Sequence, residues 1–129
     1  MTNVFNKEKT IELLKRLVET PSPSGYTSTV MALIAKEFEL IGVPYTTTNK
    51  GAVIATIEGK DTTKHRLLTA HTDTLGAMVK EVKSNGRLKL TMIGGFNGNA
   101  VEGEYCLSHT ASGKKVRGTI LMHPTTVQG

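Results

Sequence analysis

Apolar residues in the first third of the chain recur with a helical period. Ile11, Leu14, Leu17 and Val18 fall on one face, with Glu12, Lys15, Arg16 and Glu19 filling the other positions. That spacing predicts an amphipathic helix over residues 8–19 with one buried stripe. The run Thr20-Pro21-Ser22-Pro23-Ser24-Gly25 ends it, since each proline biases the residue before it away from the helical region and Gly25 permits an unusual turn. A second helix follows, with Val30, Ile34, Phe38 and Ile41 on one face, Gly42 as its C-terminal stop and Pro44 just beyond.

From Tyr45 the period changes to two. Strands are predicted over residues 45–48, 52–58 and 64–70, separated by the turns Asn49-Lys50-Gly51 and Gly59-Lys60-Asp61. Leu67-Leu68-Thr69-Ala70 carries no charge, as expected of a strand covered on both faces by helices. Two helices followed by such strands predict the opening of an α/β sandwich. After Gly76 the pattern is all-β. Strands over 79–82 and 88–92 flank Ser84-Asn85-Gly86, whose Asn-Gly pair is a strong hairpin signal, and strands over 104–109 and 115–122 flank Ala111-Ser112-Gly113 in the same manner. Leu88, Leu90 and Met92 alternate with Lys89 and Thr91, which predicts one buried and one wet face. Residues 94–99 form a Gly- and Asn-rich loop, and there is no internal repeat.

At 129 residues the chain has the length of one domain, and with 38% hydrophobic but only 5% aromatic residues its core must be aliphatic. It lacks both a stretch of about 18 apolar residues and the apolar block of a secretory signal, so a cytoplasmic location away from membranes is expected. The net charge of +5 is dispersed, with no basic run longer than Lys114-Lys115. Tight binding to a phosphate backbone needs a clustered basic face, so no nucleic-acid partner is expected. Lys80, Lys83, Arg87 and Lys89 read as the solvated surface of one hairpin. Cys106 is the single cysteine and reads as a buried, inert thiol.

The chemistry concentrates in His71-Thr72-Asp73, where the apolar run ends and the turn Thr74-Leu75-Gly76 begins. Residues two apart on an extended backbone point to the same side. The imidazole can therefore bind a metal while the carboxylate approaches the same ring, fixing its tautomer and raising its basicity. Taken alone, the tripeptide is equally compatible with a hydrogen-bonded histidine at a strand end. His65, between Lys64 and Arg66, reads as exposed; His109 and His123 lack an acidic or Cys neighbour at ligand spacing. Glu102 and Glu104 read as surface residues and Asp61 as a turn residue.

Several segments extend the pattern. Pro21 to Tyr26, Gly51 to Ile57, Leu67 to Asp73, Leu75 to Lys80, Ile93-Gly94-Gly95 and Lys115 to Ile120 occur in an order and spacing that resembles the N-terminal part of the dinuclear metalloaminopeptidases of the tetrahedral-particle type. These include the glutamyl and deblocking aminopeptidases, some of them labelled endoglucanases. The resemblance implies an α/β fold: the start of an α/β aminopeptidase sandwich over residues 1–73, then part of an inserted all-β domain, barrel or PDZ-like, over 74–129. It implies hydrolysis of N-terminal residues from peptide substrates, two divalent metal ions (zinc or cobalt) and a homo-oligomer. His71 would be a metal ligand and Asp73 a catalytic residue that orients it. The bridging Asp, the general-base Glu and the remaining ligands would lie beyond residue 129, leaving a truncated chain inactive by itself. Thr72 and Thr74 stand where typical members have Met and Glu, which leaves substrate preference open. Two alternatives remain. One is a carboxypeptidase- or deacylase-type dinuclear hydrolase, in which a proline commonly follows the Asp and the chain stays in the catalytic domain; the other is a non-catalytic β-rich assembly module.

Overall fold

Asn6 opens the first helix by accepting the Lys9 backbone N–H on its side-chain oxygen at 3.0 Å, a standard N-cap. The computed structural model describes residues 5–122. Helix α1 spans Lys7–Glu19 and α2 spans Ser28–Leu40. The second helix ends as its Gly42 predicts: the Gly42 N–H reaches the Glu39 carbonyl at 3.1 Å and the Val43 N–H reaches that of Phe38 at 2.9 Å, the paired bonds of a Schellman motif. Arg16 of α1 and Glu37 of α2 join across an ion pair of 2.6 Å.

Among the described residues six strands form three antiparallel hairpins: β1 (Tyr45–Thr47) with β2 (Val53–Ala55), β3 (Gly76–Val82) with β4 (Leu88–Ile93), and β5 (Tyr105–His109) with β6 (Lys115–Thr119). The three share one closure. Gly51, Gly86 and Gly113 each donate to the carbonyl three residues earlier, at 2.9 Å, and each has a φ near +80° (85°, 79° and 79°). This is a type I turn followed by a glycine bulge. At Asn85-Gly86 it replaces the two-residue turn that an Asn-Gly pair suggests, because that turn needs a positive φ at Asn85 and no residue other than glycine has one among the described residues. A further bulge lies between Val79 and Glu81.

The chain divides into two compact units, Met1–Gly94 and Gly95–Gly129, so the β3–β4 hairpin belongs to the first. In the first unit α2 packs on β2, and Val30 is wholly buried; Met31, Ala32 and Ala35 line an open groove with Tyr45 and Val53. In the second, a 3₁₀ turn (Gly98–Ala100) precedes β5, and Arg117 stacks on the Tyr105 ring at 3.9 Å.

Five local expectations need correction. Residues 64–70 form no strand: Leu67 and Leu68 are 89% and 96% exposed. An apolar run becomes a buried strand only when neighbours take its backbone groups and helices cover its faces, and no described strand pairs with it. The stripe expected on α1 is largely uncovered, with Ile11, Leu14 and Val18 exposed; of its members Leu17 is half-buried, as is Leu13 beside it. In β4 the covered residues are Thr91 and Ile93, the opposite parity to Leu88, Leu90 and Met92. Ile41, expected on the covered face of α2, caps the helix and is exposed, and Cys106 is half-buried rather than buried.

Candidate functional site

The loop after α1 and the segment around residue 73 are held side by side by backbone bonds. Thr74 donates its N–H to the Ser22 carbonyl at 2.9 Å, forming a parallel bridge between Pro23 and Thr74. The Ser22 hydroxyl, in a wholly buried residue, donates to the Thr72 carbonyl at 2.8 Å. Thr72 is also tied through its own hydroxyl to the Met31 sulfur at 3.6 Å. The approach is close enough to require a glycine downstream: a Cβ on Gly76 would lie 2.5 Å from the Pro23 Cβ. Beyond Pro23 the chain reverses at once, the Tyr26 N–H donating to the Pro23 carbonyl at 2.8 Å with Gly25 at a φ of 90°. A positive φ at the third turn residue is the mark of a type II turn, and it accounts for Gly25.

This scaffold presents His71 and Asp73 outward from a segment tied to the Ser22–Pro23 stretch beside the Thr74 bridge, rather than from the end of a strand. The His71 side chain is 86% exposed and that of Asp73 is 42% exposed. His71 Nδ1 lies 3.0 Å from Asp73 Oδ1 and 3.2 Å from the Asp73 carbonyl oxygen. A carboxylate and a carbonyl can only accept, so Nδ1 carries the proton in the neutral ring and Nε2 keeps the free lone pair. The other carboxylate oxygen, Asp73 Oδ2, accepts the Ser24 hydroxyl at 2.5 Å. That bond foremost, and the one from His71 next, hold the Asp73 carboxyl below the usual carboxylate range. Ser24 is a residue the sequence did not single out. It lies 49 positions from Asp73, and the only local signal was the turn that contains it.

The arrangement is chemically a one-nitrogen donor with its tautomer set by a carboxylate, a common form of metal-ligating histidine. Among the described residues no three His, Cys, Asp or Glu side chains gather as a metal site. His65, Glu102 and Glu104 are exposed, and His109 is half-buried in β5. Asp61 accepts from Thr63 in a local turn, while His123 lies outside the described residues. Among the described residues no helix is long and apolar enough to cross a membrane.

The sequence profile of the M42 glutamyl aminopeptidase family matches residues 51–129. YhfE of Bacillus subtilis (strain 168), provisionally named an aminopeptidase, is 54% identical over 127 residues, 98% of this chain and 36% of its own length. The fold is similar to the crystal structure of the TET aminopeptidase from a marine sediment archaeon (Thaumarchaeota archaeon SCGC AB-539-E09), with a TM-score of 0.79 and 28% identity over 93% of this chain and 33% of that one. It is also similar to the Pyrococcus horikoshii TET1 peptidase, described as able to assemble into a tetrahedron or a large octahedral shell, with a TM-score of 0.74 and 26% identity over 92% of this chain and 34% of that one. The chain thus spans about a third of the length of the relatives it matches. With the profile covering more than half of its residues, the chain belongs to the M42 glutamyl aminopeptidase family.

Proposed function

We propose that these residues are the N-terminal part of a metal-dependent aminopeptidase that removes N-terminal residues from peptides, with His71 ligating a metal through Nε2 and Asp73 holding the ring for that task. The observation that carries this reading is the pairing of two acceptors on His71 Nδ1, which leaves Nε2 as the donor atom on an exposed side chain. Divalent ions, zinc or cobalt, when bound, supply Lewis acidity toward the scissile carbonyl and acidify water for attack. The chain's own contribution is narrower: one nitrogen donor, its proton kept on Nδ1, and a carboxylate kept ionised beside it. The remaining ligands and the general base come from chain beyond residue 129. In this reading residues 74–129 are part of an inserted β domain, which the succession of hairpins β3–β4 and β5–β6 with no α-helix between them favours, although β3–β4 lies in the compact unit that ends at Gly94. The whole protein acts as a cytoplasmic homo-oligomer.

The test is a graft. This chain replaces the matching segment of YhfE, and turnover of an aminoacyl chromogenic substrate and bound metal are measured beside unaltered YhfE. The graft should show metal-dependent turnover, and His71→Ala should lower it by on the order of 100-fold and reduce bound metal, since even partners of metal ligands are worth 10- to 100-fold. Unchanged metal content and turnover in His71→Ala would overturn the assignment. The 129-residue chain by itself should turn over nothing with added zinc or cobalt, because it supplies one donor and no general base.

A further inference from the structure

We propose that Ser24 is a positioning residue for this site: by holding Asp73 Oδ2 it aims Oδ1 at His71 Nδ1, and so adds to the Asp73 carbonyl, 3.2 Å from the same nitrogen, in keeping the proton there and Nε2 free. The inference rests on the reading of His71 as a ligand only for its consequence, not for its geometry. An aspartate on an exposed segment has freely rotating side-chain torsions, and a carboxylate that is only 42% exposed but otherwise untethered could turn either oxygen, or neither, to the ring. Two bonds from opposite sides remove that freedom. Ser24 donates to Oδ2 at 2.5 Å while His71 meets Oδ1 at 3.0 Å, so the carboxylate is a rigid spacer between a hydroxyl and an imidazole.

The donor is itself fixed. Ser24 is the second residue of the turn that runs from Pro23 to Tyr26, closed at 2.8 Å, and this turn is anchored to the Asp73 segment by the bridge between Pro23 and Thr74. Pro23 presets the entry to the turn, Gly25 supplies its positive φ and Gly76 permits the approach of the two segments. The Pro-Ser-Pro-Ser-Gly run therefore does more than end a helix. It delivers one hydroxyl to the far side of the carboxylate that orients His71.

The prediction is read from the His71 ring nitrogens by long-range ¹H–¹⁵N NMR on the 129-residue chain at about pH 9, above the ordinary imidazole range. In the parent the Nδ1–H tautomer should dominate. In Ser24→Ala the ratio of Nδ1–H to Nε2–H should fall about fivefold, the scale of one net hydrogen bond, and Ser24→Thr, which keeps the hydroxyl, should restore it. Slow exchange of the Thr74 amide in each variant verifies that the bridge persists, so that the change reports orientation and not unfolding. A parent-like tautomer ratio in Ser24→Ala with the bridge intact overturns the proposal. A second arm separates it from the ligand reading. In the YhfE graft Ser24→Ala should weaken metal affinity about tenfold, as expected of a partner once removed from a ligand, and Ser24→Thr should recover it. If the tautomer ratio responds while His71→Ala leaves bound metal unchanged, the positioning role stands and the ligand role of His71 falls.

Discussion

At the scale of single residues, the chain uses hydroxyls to fix carboxylates: Tyr45 donates to Glu39 at 2.8 Å, and two aspartates are held in the same way. Besides Ser24 on Asp73, Thr63 donates both its hydroxyl (2.6 Å) and its backbone N–H (3.0 Å) to Asp61 Oδ1. The hydroxyl bond first, and the backbone bond next, lower the Asp61 carboxyl below its ordinary value. A folded value below the unfolded one means that this turn adds stability above the ordinary carboxylate range and loses it as pH falls through the lowered value. Thr63→Ala should therefore shift the Asp61 titration upward, followed by its carboxyl ¹³C resonance. A midpoint that does not move would remove the hydroxyl as the cause. Of these two devices, the Asp61 turn is local and its partner sits two residues away. The Ser24–Asp73 bond is not local, and no spacing rule reaches across it.

At the scale of elements, what reads correctly from sequence is what depends on short range. Both helices, and all three hairpins, lie within a few residues of their expected limits because caps, prolines and turn glycines act on neighbours. The glycine bulge in each hairpin carries its own test. Gly113→Ala places a Cβ at a φ of 79°, a left-handed conformation that costs about 1–2 kcal/mol, whereas Gly59 has no such φ and open space around it. Urea unfolding, or amide exchange across β5–β6, should show the loss for Gly113→Ala and no comparable loss for Gly59→Ala. Equal effects would mean that the turn conformation is not what the glycine serves. The run over 64–70 went the other way. Its composition suits a central strand, but a strand exists only where another strand accepts its hydrogen bonds, and Leu67 and Leu68 stand exposed without one among the described residues.

At the scale of the whole molecule, exposed apolar surface is the dominant fact. Ile11, Leu14 and Val18 on α1, with Leu67 and Leu68 beyond β2, are open to solvent, while Val30 is the one apolar residue wholly buried among those described. Contiguous apolar patches beyond a few hundred Å² are uncommon on monomers, and unpaired backbone edges recruit other chains. The 129-residue chain should therefore self-associate, and sedimentation velocity at high micromolar concentration should find dimers or larger species. Replacing Leu67 and Leu68 together by Lys should shift the distribution toward monomer. A parent chain that sediments as a clean monomer would count against association through this surface.

The residues alone determined the two helices, the hairpins and the shared side of His71 and Asp73, because each follows from periodicity, turn chemistry or a two-residue spacing, while the family was legible only through resemblance. Tertiary structure decided the rest: that the Pro21–Gly25 loop lies along residues 72–74, that Ser24 completes the carboxylate bridge, and which apolar stripes are covered. These depend on contacts between positions some 50 residues apart, as Ser22 and Thr72 are, and a linear pattern records what each residue needs without recording which distant partner supplies it.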